Sequence, residues 1–337
     1  MKLKIRYYIK RKIGGVYMNS DNLIKNYTSA RGTSKIVLTV GTIDNGEMDY
    51  KVYGAKGAEI TKQQHRYEIG SLTKSIMMAK LCQAISEGKV SPTDKIGTIL
   101  DENISHNPTI EQLATHTARY GNSYPKHIAR KEMKNALFSK ENPYCGYNES
   151  DILNDIESFK PNAKHREWVY SHFGGAVMGE VLSKIYDKDI KTIIEETVEE
   201  LGLENTGYTG DTEIGKCWKW NGDEVYAATS GLVSTVNDMM KFVQKNIECD
   251  PEYLALGHKK YYTISKGKYD MGLGWVINDD TKIIWHDGST DNFDCFIGFE
   301  KHSKKGVVVL SNYPNKGEVN AAKIGLEKIT ELVKNRK

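Results

Sequence analysis

Apolar and polar positions alternate near the start of the chain and then switch to a repeat of three and four. SKIVLTVGTID alternates with beta-branched residues, NGE breaks the run and MDYKVYGAKG resumes it, which predicts a β-hairpin. SDNLIKNYTSA ahead of it has the form of a short capped helix, and HRYEIG behind it predicts a third extended segment. At Ser71 the period changes: SLTKSIMMAKLCQAISEG predicts a helix that stops near Gly88. From Ser91 to about Tyr208, PTIEQLATHT, NESDILNDIESF and GGAVMGEVLSKIYDKDIKTIIEETVEELG all carry helical periodicity, broken by turns at Asn107-Pro108 and Asn142-Pro143. Strand-like runs return late as MGLGWVIND, TKIIWHDG, FDCFIGFEK and GVVVLSNY, before a closing helix from about Val319 to Val333. The sheet is therefore split in sequence, with helices between its two parts and no internal repeat.

Length sharpens this organisation, because 337 residues exceed the size at which one hydrophobic core stops growing. The division it predicts is a basic tail over 1–18, an α/β lobe from 19–90 and 209–337, and a mainly helical lobe over 91–208. With 39% hydrophobic residues and no apolar run of bilayer length, the chain reads as globular, without an integral membrane segment. A net charge of +3, with lysines scattered among acids, sets nucleic acid aside as a partner. The five cysteines, Cys82, Cys145, Cys217, Cys249 and Cys295, are odd in number and form no C-x-x-C pair, so free thiols in a reducing compartment are expected. The start, MKLKIRYYIKRKIGGVYMNSD, is basic but continues into polar residues instead of an apolar export segment, so a cytoplasmic protein with a core-poor tail is expected.

Candidate chemistry centres on YEIGSLTKSIMMAKLCQAISEGK, where Ser71 and Lys74 stand one helical turn apart. The spacing alone says little, since Ser-x-x-Lys recurs at Ser86 to Lys89 and Ser265 to Lys268. Its simplest explanation is a serine capping a helix, followed by a solvated lysine. The alternative is a hydroxyl at the positive helix end beside unpaired N–H groups, with an ammonium pressed against Ile76, Met77 and Met78 and made readier to lose its proton. His116 in ATHT is read as fixing a loop, because no second ligand stands at metal spacing. Trp275 and Trp285 are read as core or cleft wall, and Trp218 with Trp220 as a candidate substrate wall.

EIGSLTKS resembles the nucleophile motif of the beta-lactamase-like serine hydrolases, the family of class C beta-lactamases, DD-carboxypeptidases, D-amino-acid peptidases and related esterases. The resemblance continues through TIEQLATHT, ENPYCGYNESDILNDIESFK, WVYSHFGGAVMGEVL, SGLVSTVNDMMKF, MGLGWVI, IIWHDGSTDNFDCFIGF and GVVVLSN, in the family's order, from about Ser34 to the end. It implies Ser71 as the acylated nucleophile, Lys74 as its activating partner and Tyr170 in YSH as the family's tyrosine. It also implies His286 on the strand lining the site and an oxyanion hole from the backbone N–H groups of Ser71 and Ser289. Whether Lys74 or a Tyr170 phenolate is the base stays open. Two positions depart from the pattern: His172 replaces the usual asparagine, and Asp287 stands where a neutral residue is usual, followed after Gly288 by a loop with Asp291 and Asn292 where small glycines are usual. His172, His286, Asp287 and Gly288 are the expected substrate contacts.

The resulting expectation is an α/β plus α fold, an antiparallel sheet flanked by the N- and C-terminal helices with a helical lobe inserted. Its function would be a serine hydrolase that acylates Ser71 with an ester or amide, a small peptide with a D-residue or a short-chain ester, using neither metal nor cofactor. A beta-lactamase or penicillin-binding DD-carboxypeptidase is the nearest alternative, and a non-catalytic ligand-binding homologue is the alternative from another class. The substrate's identity and the oligomeric state are open at this point.

Overall fold

The early hairpin forms as β1 (Leu38–Asp44) and β2 (Glu47–Tyr53), with Leu38 opposite Tyr53 and Asp44 opposite Glu47. On its other edge β1 pairs antiparallel with β11 (Lys305–Ser311), so the two ends of the chain meet in one sheet. The computed structural model describes residues 18–30, 32–102, 104–121, 124–138, 141–161, 167–208, 211–314 and 319–334. The expectation for the basic start thus falls almost wholly on residues 1–17, outside the described residues.

The remaining strands of this sheet are β3 (Glu59–Ile60), β6 (Tyr262–Ser265), β7 (Tyr269–Met271), β8 (Val276–Asn278), β9 (Ile284–Ser289) and β10 (Asp294–Glu300). Their order is β3-β2-β1-β11-β10-β9-β8-β7-β6, with every neighbouring pair antiparallel. Period-two alternation divides the central strands between two apolar clusters. Leu38, Val40, Trp285, Phe296, Val307 and Val309 pack with helices α1 (Ser20–Thr28) and α5 (Ala321–Lys334). Ile43, Cys295, Ile297, Val308 and Leu310 face the other way, toward α2 (Thr73–Ser86) and α4 (Val236–Glu248). Burial on both faces explains why β10 and β11 read as nearly continuous apolar runs. The sheet flanked by terminal helices is the expected fold class. The Ser20 hydroxyl donates to Glu331 at 2.5 Å, tying α1 to α5.

Several elements differ from the sequence pattern. HRYEIG joins a separate two-stranded ladder, β4 (Arg66–Glu68) against β5 (Val233–Thr235), and stays out of the main sheet. MGLGWVIND is strand only at its two ends, because Gly272 N–H turns back to Trp275 O at 2.8 Å. The helix Lys126–Phe138 gave no clear signal, since charged residues outnumber apolar ones in KHIARKEMKN. The short helix Ile110–Ala114 and the helix Glu149–Ser158 each begin with a capping box, Thr109 with Gln112 and Asn148 with Asp151. Helix α3 (His172–Tyr186) is buried almost throughout from Phe173 to Leu182 and carries the segment that follows Tyr170. Among the described residues no helix is long and apolar enough to cross a membrane.

Candidate active site

Ser71 lies in one turn of 3-10 helix, Gly70–Leu72, between β4 and α2. Ile69 N–H extends the β4–β5 ladder by donating to Leu232 O at 2.9 Å. Thr73 Oγ1 donates to Gly70 O at 2.7 Å and accepts from Leu232 N at 3.3 Å, closing the turn. Gly70 has φ +52°, and a Cβ on it would stand 2.9 Å from Ser289 N. On β9 a Cβ at Gly288 would meet Ile69 O at 2.1 Å. The turn and β9 therefore touch backbone to backbone, an approach only glycine permits. This contact is what the structure shows for Gly288, which was expected to meet substrate. Gly288→Ala should push the two apart at a cost of about 1–3 kcal/mol. A thermal unfolding midpoint unchanged from the parent would contradict that assignment.

The simple explanation of the Ser-x-x-Lys spacing fails on two observations. Helix α2 starts with no side-chain cap, so the Ser71 hydroxyl is not spent there. Lys74 is 1% exposed, so it is not a solvated lysine. Its Nζ donates to Thr229 O at 2.9 Å, lies 3.3 Å from Ser71 Oγ and 3.4 Å from His172 Nδ1. Burial drives its pKa down to about 7, against the opposing charges of Asp287 and Glu132. A neutral amine has two N–H bonds and one lone pair. Donation to Thr229 O and His172 Nδ1 leaves that lone pair for the Ser71 hydroxyl proton.

Tyr170 is placed by the start of α3. Ser171 caps the helix by accepting from Gly174 N at 3.0 Å, worth about 1 kcal/mol. His116 holds the preceding loop: its carbonyl accepts from Val169 N at 3.0 Å, its Nδ1 accepts from Ser171 N at 3.4 Å, and its ring lies 4.4 Å from that of Tyr170. The Lys74 ammonium position is 5.5 Å from the centre of the Tyr170 ring. The Tyr170 hydroxyl is buried without a geometrically complete hydrogen bond among the described residues, although Ser71 is near enough to favour its phenolate. Burial outweighs that influence and raises the phenol well above its ordinary value, with Asp287 adding to the rise.

His286 and His172 are both driven toward the neutral imidazole, first by burial and then by Lys74. His286 comes down to about 4, and its Nδ1–H donates to Asp287 O at 2.7 Å. It therefore supplies no positive charge near neutral pH. Asp287 stands opposite Phe296 in the register, whereas His286 stands opposite Ile297. Alternation thus sends Asp287 to the terminal-helix face, from which its charge still favours the protonated form of Lys74. Asp294, grouped with Asp287 and Asp291 in the sequence, faces away altogether: its Oδ2 accepts from Ala321 N at 2.9 Å at the start of α5. The Trp285 ring stacks on Phe296 and Trp275 packs among Phe242, His258 and Phe299, so both are core.

Four participants gave no usable sequence signal or were passed over. Thr229 acts through its carbonyl, which every residue type possesses. Glu68 is buried three residues before Ser71, accepts from Trp218 N at 2.8 Å, and is raised by burial to about 7. An acid inside YEIGS was the available hint. Glu132 comes from the unpredicted helix, and Tyr144 donates to its Oε1 at 2.6 Å. Tyr144 in turn stacks on Tyr226 at 4.3 Å and lies 5.8 Å from Trp218 and 6.2 Å from His172, ring centre to ring centre. Among the described residues no group of His, Cys, Asp and Glu could hold a metal ion.

Comparison with known proteins gives concordant results. The family model described as Beta-lactamase matches residues 21–330. "Protein flp" of Staphylococcus aureus (strain NCTC 8325 / PS 47) is 22% identical over 278 residues, 73% of this chain and 53% of its own length, so the chain spans about half of that relative. "Beta-lactamase" of Escherichia coli (strain K12) is 23% identical over 346 residues, covering 85% of this chain and 86% of that protein. The crystal structure of a class C beta lactamase superposes with a TM-score of 0.73 at 18% identity, over 93% of this chain and 96% of that one.

Proposed function

The chain belongs to the beta-lactamase family, and from that premise we propose that it is a serine hydrolase working through an acyl-enzyme on Ser71. The observation that carries this reading is the buried Lys74 amine, lowered to about 7 and held 3.3 Å from a serine hydroxyl that caps nothing. A serine hydroxyl is a weak nucleophile until a nearby base removes its proton. Neutral Lys74 takes the Ser71 proton as Oγ bonds to the substrate carbonyl carbon. The oxyanion forms against the N–H groups of Ser71 and Ser289, which the Gly70 and Gly288 contacts bring together. The Tyr170 hydroxyl relays the proton from Lys74 to the departing alcohol or amine as its bond to carbon breaks. Water then repeats the sequence, losing a proton to Lys74, and the acid is released as Ser71 recovers its hydrogen. His172, neutral and accepting through Nδ1, replaces the asparagine acceptor usual at its position.

Esters and amides of small acyl groups, including short-chain esters and small peptides with a D-residue, are the proposed substrates. Intact-mass analysis after exposure to a fluorophosphonate tests the reading. One adduct per chain, mapping to Ser71, is expected in the parent and none in Ser71→Ala. A folded parent that stays unmodified would favour a ligand-binding protein without catalysis.

A further inference from the structure

The hydrolase reading leaves unexplained why the charge of a carboxylate reaches the catalytic lysine and why an aromatic group stands beside His172. Glu132 is half-buried, with one oxygen tethered by the Tyr144 hydroxyl at 2.6 Å. Tyr144 continues into Trp220, nearly parallel at 6.4 Å, and Trp218, edge-on at 5.8 Å, both of them half-buried. The His172 ring, 6.2 Å from Tyr144, links this group to Lys74. A carboxylate beside aromatic faces is the recognised chemistry for binding an ammonium group.

Charge balance points the same way. Burial pushes the Glu132 carboxyl up and Asp291 adds to the rise, while the Tyr144 hydroxyl and Lys74 favour its charged form; Glu132 in turn favours the charged form of Lys74. His116, His172 and His286 are all held toward neutrality and offer these carboxylates no compensation. When Lys74 loses its proton to become the base, Glu132 loses the positive charge that Lys74 contributed. A cationic substrate group would restore the balance, and by like-charge repulsion it would keep Lys74 neutral.

We infer that the acyl side of the site selects substrates bearing a cationic group, with Glu132 the residue that determines the choice and Trp218 and Trp220 its aromatic wall. This rests on the hydrolase reading for its kinetic form. Permanent charges separate the effect from pH, so the matched p-nitrophenyl esters are 4-(trimethylammonio)butanoate, its carbon isostere 5,5-dimethylhexanoate, and the monoester of glutarate. At least a tenfold advantage in kcat/KM is expected for the cation over the isostere, with the glutarate ester slowest. Glu132→Gln should collapse the cation-to-isostere ratio to about threefold or less, and Glu132→Asp should retain part of it. Because the ratio is taken within one protein, general loss of folded enzyme cancels. An isostere turned over as well as the cation, or a ratio unmoved by Glu132→Gln, would overturn the inference.

Failure of the hydrolase reading itself shows separately, as absence of a fluorophosphonate adduct on Ser71. The inference is then read from binding, by tryptophan fluorescence of Ser71→Ala titrated with 4-(trimethylammonio)butanamide and 5,5-dimethylhexanamide. At least tenfold tighter binding of the cation, lost on adding Glu132→Gln, supports it, and equal affinities overturn it.

Discussion

Ser71→Ala should leave a folded protein whose turnover of p-nitrophenyl acetate or butyrate falls by roughly 10^4-fold or more, the scale of removing a nucleophile from an acyl-transfer site. The substitution deletes one oxygen that caps no helix and sits 3.3 Å from Lys74, which keeps its bond to Thr229 O. Losing that contact changes stability by about 0.5–1.5 kcal/mol, because Lys74 keeps its other acceptors. The thermal unfolding midpoint should therefore stay close to that of the parent while burst release of p-nitrophenol vanishes. Comparable turnover in the variant would remove Ser71 from the mechanism, whatever the family match.

Lys74→Met and Tyr170→Phe should each slow acylation by roughly 10^2–10^4-fold, and the double variant should be far less than additive because both act on one proton. Fully additive losses would separate the two residues. The structure also sets the direction with pH. Burial lowers Lys74 to about 7, so the neutral base is lost as pH falls through that value. Log kcat/KM for a neutral ester should then approach a slope of one on the acid side. Glu68 is raised by burial to about 7 and could imitate this limb, but it touches Trp218 and not Ser71. Glu68→Gln should therefore keep the limb.

Stability carries the same signature for Lys74. An unfolded lysine holds its proton up to about 10.4, whereas the folded one releases it near 7. Between those values the unfolded chain binds more protons, so stability rises with pH there, and Lys74→Met should flatten the rise. An acid limb that persists unchanged in Lys74→Met would move the base elsewhere.

How far the sequence could be read differs from residue to residue. The hairpin of β1 and β2 was legible because alternation and a turn are local. The nucleophile turn was legible only in the full EIGSLTKS context, since two other Ser-x-x-Lys pairs share its spacing. The helix Lys126–Phe138 was not picked out, because charged residues outnumber apolar ones over its first ten positions, and Glu132 was lost with it. β6 was missed because a four-residue strand is too short to establish a period, and β7 was touched only at Met271, where MGLGWVIND begins.

By itself the sequence determined the family resemblance, the split sheet, and Ser71, Lys74 and Tyr170 as the residues to watch. Those are matters of side-chain type and local order. Which of them is ready to act was decided by tertiary structure. Lys74 becomes a candidate base because α3 and the Thr229 segment close over it, and Tyr170 is held protonated by the same burial. Of three aspartates close in sequence, strand register sends Asp287 and Asp294 to the terminal-helix face, where Asp294 reaches the start of α5, whereas Asp291 in the loop between β9 and β10 lies in the surroundings of Glu68 and Glu132. Solvation and charge depend on what surrounds a group in space, and the neighbours that set them here stand up to about two hundred residues away in the chain.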